Sequence, residues 1–145
     1  IAHLAAFDRR AFDRTDGFDP RYKKAVDKDI YFKMEEVAPT LFLPLPLYYY
    51  RVHPGGVSQG EGQPLATLYH AEAFLAAYHR RKARALPNVA RTQAARILYR
   101  LARSGLAGDR TWASRILWSA ARLDPFRLRY WKTLLGRGLL GIRRH

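Results

Sequence analysis

Apolar and polar positions alternate irregularly over residues 1–63 and recur at helical spacing over residues 64–145. The opening run IAHLAAF is short and apolar, with His3 inside it, and predicts a buried strand. Asp8 then caps a short helix in DRRAFDRTD that stops at Gly17. GFDPRYKKAV carries Gly17, Asp19 and Pro20 and predicts a turn-rich loop. A helix follows from about Lys28 to Val37, with Ile30, Phe32 (or Tyr31), Met34 and Val37 on its apolar side. Lys33, Glu35 and Glu36 face outward in this pattern. TLFLPLPLYYYRVH predicts two short strands separated by Pro44 and Pro46, and Gly55–Gln63 is a glycine-rich loop, either a linker or a lid.

Beyond Pro64 the period is helical. Leu68, Ala71, Leu75 and Tyr78 form one stripe, and HRRKAR closes that helix with cations. Leu86-Pro87-Asn88 breaks the chain. The next helix packs through Ala94, Ile97, Leu98 and Leu101, turns Arg96, Arg100 and Arg103 the other way and stops at Gly105. Asp109 caps a third helix bearing Trp112, Ile116, Ala120 and Leu123. Asp124-Pro125 separates it from a fourth with Leu128, Trp131 and Leu135 on one face, and GRGLLGIRRH is a frayed end. SAARLDPFRLRYW is similar to the end of a tetratricopeptide-type hairpin. One such unit is visible where a solenoid needs about three, so a helical appendage is the expectation.

Composition sharpens this division. Hydrophobic residues at 48% and aromatics at 13% suit a packed core. The absence of cysteine excludes a disulfide scaffold, a thiolate metal site and a cysteine nucleophile. The net charge of +14 is unevenly distributed: residues 1–63 hold nine basic and nine acidic side chains, whereas 64–145 hold seventeen basic against Glu72, Asp109 and Asp124. Twenty of the cations are Arg and six are Lys. An Arg-rich solvated surface explains such a helical region. So does an anionic membrane surface, which basic helices with Trp112, Trp118 and Trp131 suit. Nucleic acid is the poorer fit, because no recognised motif is present and the aromatics lie in the apolar stripes. The longest apolar stretch, Ala38 to Tyr50, is broken by three prolines and falls short of the roughly 20 residues of a spanning helix.

GFDPRYKKAVDKDIYFKMEEVAPTLFLPLPLYYYRVHPGGVSQ resembles the C-terminal part of the catalytic domain of family 2 glycosyltransferases. The likeness spans roughly residues 1–60: a Gly-Phe-Asp turn, an acidic pair opening a helix, then Pro-Leu-Tyr-Tyr-Tyr-Arg-x-His before Pro-Gly-Gly. It implies an α/β fragment of a GT-A fold over 1–63, followed by an all-α extension over 64–145. The implied activity is transfer of a sugar, with inversion, from a nucleotide-sugar donor to a hydroxyl of a glycan or lipid-linked acceptor. A bacterial-type enzyme of surface-polysaccharide synthesis, cytoplasmic and peripheral at the inner face of the membrane, is the expected setting. The implied cofactor is a divalent metal, Mn²⁺ or Mg²⁺, with its main ligands before Ile1. A chain lacking the nucleotide-binding half is expected to be inactive alone.

The resemblance also assigns roles. Asp27 matches the family's base, which takes the acceptor proton during attack, although Val26 stands where the family often has an acid or amide. Asp29 matches a second acidic position that orients a neighbour or the acceptor. Helix capping is the competing explanation for both. DKD spells an Asp-x-Asp metal motif, but it follows the Gly-Phe-Asp turn rather than preceding it. Gly17 and Phe18 match the glycine-loop position near donor and acceptor, and Gly17 is equally explained as a helix C-cap. His53 is either a metal or phosphate ligand or a structural strand-end residue. Arg51 contacts diphosphate or pairs with Asp27 or Asp29. The class rival to an enzyme is a non-catalytic basic helical module that binds an anionic membrane or nucleic acid.

Overall fold

The computed structural model describes residues 5–47, 49 and 62–138. They form six helices: α1 (Arg9–Phe12), α2 (Val26–Glu35), α3 (Gln63–Ala83), α4 (Arg91–Gly105), α5 (Arg110–Leu123) and α6 (Leu128–Gly138). α2 packs on α3, α3 on α4 and α5, α4 on α5, and α5 on α6.

Each start and stop has a local cause. Asp8 accepts a hydrogen bond from the Ala11 amide (2.9 Å) at the head of α1, and Asp109 accepts one from Trp112 (2.8 Å) at the head of α5. Pro64 occupies the first turn of α3, where its missing N–H leaves no bond unmade. Gly105, the last residue of α4, lets α3 approach closely: a Cβ there would lie 2.4 Å from Leu68 Cδ2 and push that side chain aside.

Small residues dominate the core. Ala71, Ala95, Ala102, Ala120 and Ala121 are fully buried and let α3, α4 and α5 approach closely around Leu98, Leu117 and Tyr130. The expected stripes of α3, α4 and α5 lie in or against this core. On α6 the expected face is displaced. Leu128 and Leu135 are exposed, whereas Tyr130, fully buried, and Leu134 contact the core together with Trp131. Asp124–Arg127 sets this rotation: the buried Asp124 pairs with Arg127 (3.0 Å) and fixes the entry of α6. A second, smaller cluster joins Ala11 of α1 to Ile30 and Met34 of α2.

The expected α/β fragment is not formed: every regular element among the described residues is a helix. Residues 39–47 have no partner strand among the described residues, and Pro44 and Pro46 offer no N–H to a ladder. Leu41, Phe42, Leu43, Leu45 and Leu47 are each more than half exposed, where a sheet would have covered one face. Of the opening run, Ala5–Phe7 is irregular and residues 1–4 lie outside the described residues. The described residues form a helical bundle in which α2 packs on α3 and α1 packs on α2. The expected outward placement of Lys33 and Glu36 also fails. Lys33 is buried against Asp29 and the Gly17 carbonyl, and the Glu36 side chain is 1% exposed because Arg80 and Arg81 of α3, with Arg84 just beyond it, face α2.

Candidate functional site

α1 ends in a turn that leads to Gly17. Thr15 Oγ1 donates to the Phe12 carbonyl (2.8 Å) and accepts from the Gly17 amide (3.1 Å). Gly17 then takes φ +63°, a left-handed conformation that a Cβ disfavours. Space is not the constraint, since a Cβ would meet Phe12 at an ordinary 3.6 Å. Phe18 packs its ring 6.0 Å from Phe12 and remains half exposed. Asp19 accepts from the Arg21 amide (2.9 Å) and pairs with its guanidinium (2.6 Å), which together hold the Asp19 carboxyl down to about 2. Tyr22 is buried beside Tyr69, and desolvation, then the carboxylates of Asp29 and Glu72, push its phenol up to about 12.

The chain enters α2 through Ala25, whose φ of +52° is left-handed without being glycine. Asp27 and Asp29 both lie in the first turn of α2. Two residues on a helix are about 200° apart, so they face opposite ways. Asp27 faces solvent, its side chain 44% exposed and 3.0 Å from Lys28 Nζ. Asp29 is 2% exposed and faces α3, with Lys33 Nζ at 2.7 Å and Arg80 at 3.6 Å.

Lys33 Nζ also donates to the Gly17 carbonyl at 2.9 Å. One ammonium therefore ties the Gly17 turn to Asp29. Beyond it, Glu36 receives two hydrogen bonds from Arg80 Nε at 3.1 Å and a third from Arg84 at 3.3 Å, and has Arg81 at 4.0 Å. Glu35 pairs with Arg81 at 2.8 Å. A pocket of about 370 Å³ opens beside this web, lined by Asp16, Phe18, Asp19, Asp29, Lys33 and Arg80 among others. A second groove, of about 610 Å³, lies elsewhere, between α3 and α5.

The structure thus places Phe18 and Asp29 in one pocket, ties Gly17 to Asp29 through Lys33, and leaves Asp27 outside that pocket, on the solvent side of α2. Arg51 and His53 lie outside the described residues, as do His3, Tyr48 and Tyr50. His70 and Arg80 join the site from α3, a helix whose sequence shows its apolar stripe first. His70 stacks on Phe32 (6.4 Å), and burial, then Lys28, lower its pKa below 6.5 while Asp27 opposes the shift. The sequence signal for Arg80 is charge complementarity: KMEE in α2 faces HRRKAR in α3.

Among the described residues no group of three or more His, Asp or Glu gathers to hold a metal. Asp29 is neutralised by Lys33 and Arg80 and Asp27 pairs with Lys28, so neither offers a metal a free carboxylate, and the one metal ligand that the likeness places in this chain, His53, lies outside the described residues. No helix of the described residues is long and apolar enough to cross a membrane. No family model, curated protein or solved structure matches the chain.

Proposed function

We propose that the chain contributes the acceptor side of an inverting, nucleotide-sugar-dependent glycosyltransferase, with Asp27 as general base. The observation that supports it is the division of labour in the first turn of α2. Asp29 is locked to Lys33 and Arg80 and, through Lys33, to the Gly17 carbonyl. Asp27, on the other side of the same turn, keeps an exposed carboxylate. An acceptor hydroxyl hydrogen-bonded to Asp27 passes its proton to the carboxylate as its oxygen attacks the anomeric carbon, and the nucleoside diphosphate leaves from the opposite face. Asp29 is a positioning residue: it fixes the helix and the Gly17–Phe18 turn against which the sugars pack. A divalent metal, its main ligands expected before Ile1, would supply charge neutralisation of the leaving diphosphate. In the full-length protein Asp27→Asn is expected to lower transfer at least about a hundredfold, the usual scale of a lost general base, with the circular-dichroism spectrum and melting temperature unchanged. Full turnover by the variant would reject the role.

A second reading, the basic helical module on an anionic membrane surface, is favoured by a specific observation. Arg91, Arg96, Arg100, Arg103, Arg110, Arg115, Arg122, Arg129 and Lys132 have no ion-pair partner among the described residues. Leu41–Leu47 adds an exposed apolar run. The two readings are compatible, since an enzyme on lipid-linked acceptors works at that surface. Sedimentation with anionic vesicles that weakens as salt rises is the expected result. Equal sedimentation with neutral vesicles would remove the electrostatic basis.

A further inference from the structure

Tyr99 is buried where α4 approaches α6, its ring 4.7 Å from that of Tyr130. Two exposed guanidiniums converge on that ring. Arg103, one turn along α4, has its Cζ 5.8 Å from the ring centroid, and Arg129 of α6 has its Cζ at 4.8 Å. The hydroxyls at the same place form a directed chain. Thr133 Oγ1 donates to the Arg129 carbonyl (2.9 Å), which spends its only hydrogen. The 3.0 Å contact between Tyr99 and Thr133 therefore has the phenol as donor.

Among the described residues no carboxylate pairs with either cation. Asp109 caps α5, and Asp124 pairs with Arg127. Glu72 lines the groove between α3 and α5. Arg103 sits in the last turn of α4, which favours a cation. Arg129 occupies the first turn of α6, the positive end of that helix, and no acid accompanies it there. Two cations drawn from different helices to one ring repel each other, and a bound anion offsets that repulsion.

We infer that Arg103 and Arg129, gathered around Tyr99 between α4 and α6, form a binding site for a phosphate group, carried by a free phosphate or by a phospholipid headgroup. Guanidinium forks from two helices match a group with more than two charged oxygens, which a carboxylate lacks. The site is independent of the chemistry assigned to Asp27.

The test uses the whole chain, titrated with inorganic phosphate against chloride at matched ionic strength and followed by calorimetry. Arg103→Gln and Arg129→Gln are each expected to weaken saturable phosphate binding about tenfold, the effect of losing one charged hydrogen bond. Arg110→Gln, which removes an equal charge from α5, is expected to change it less than about twofold. All three side chains are solvent-facing or unpaired, so circular dichroism should report intact folding. A second arm uses phosphatidylcholine vesicles with and without phosphatidic acid. Loss of acid-dependent vesicle binding in the same two variants supports a headgroup ligand. Retained vesicle binding with lost phosphate binding supports free phosphate. Absence of saturation by phosphate, or an equal loss in all three variants, overturns the site.

Discussion

Replacing Lys33 by Met keeps the aliphatic stem and removes one charge from the web between α2 and α3. In the native protein Lys33 Nζ is 2.7 Å from Asp29 and 2.9 Å from the Gly17 carbonyl. Asp29 is 2% exposed, so water cannot take the place of the lost ammonium. Removing one partner of a buried pair costs about 3–5 kcal/mol. Arg80 remains 3.6 Å away and offsets part of this, although its Nε is already committed to Glu36. The expected loss is therefore at the lower end, about 3 kcal/mol, and the melting temperature should fall by about 6–12 °C for a chain of this size. Urea denaturation of wild type, Lys33→Met, Asp29→Asn and the double variant closes a cycle. A coupling of about 2 kcal/mol is expected, within the range for residues in one buried network. A coupling near zero, or a Lys33→Met loss below about 1 kcal/mol, would refute Lys33 as the tie between the Gly17 turn and α2.

Two glycines give opposite expectations. Gly105→Ala should destabilise by about 1–3 kcal/mol, because the new Cβ meets Leu68 Cγ at 2.5 Å and Leu68 is fully buried. Gly136→Ala meets nothing within 4 Å and should stabilise α6 by about 0.5–1 kcal/mol, so thermal melts that move the same way would contradict the packing at Gly105. For His70 the folded pKa lies below 6.5, so the unfolded chain binds more protons as that value is approached from above. Its contribution is full above 6.5 and is lost as pH falls from 6.5 through the folded pKa. The stability difference between wild type and His70→Gln should shrink over that interval, and a pH-independent difference would show that the imidazole is not buried in its neutral form.

The second half of the fold was largely legible because helical period, caps and breakers all agree there. Asp109, Gly105 and Pro64 each sit at the boundary that their chemistry favours. The first half misled for a physical reason. Apolar runs such as TLFLPLPL look like strands, but a strand exists only through its neighbours, and none is present among the described residues. The rotation of α6 was hidden too, since it depends on Asp124 and Arg127 rather than on the apolar spacing. At the site, Gly17 and the acidic pair stood out by type. That Asp29 turns inward and Asp27 outward follows only once α3 supplies Arg80. Lys33 and Glu36 looked solvated because charged side chains usually are, but Lys33 is buried by Asp29 and the Gly17 turn, and Glu36 by cations 44 to 48 residues away in sequence.

A seam built from charge constrains how two helices can sit in a way that an oily seam does not. Interchangeable methyl groups tolerate slippage. Glu36 instead meets Arg80, Arg81 and Arg84 at once. Slide α3 by one turn, about 5.4 Å, and the same three places hold Ala76, Ala77 and Arg80 in one direction, or Arg84, Ala85 and Asn88 in the other. Either shift leaves one cation where there were three. The arginines therefore act as an alignment key, which admits a single position of the Asp27-bearing layer along α3.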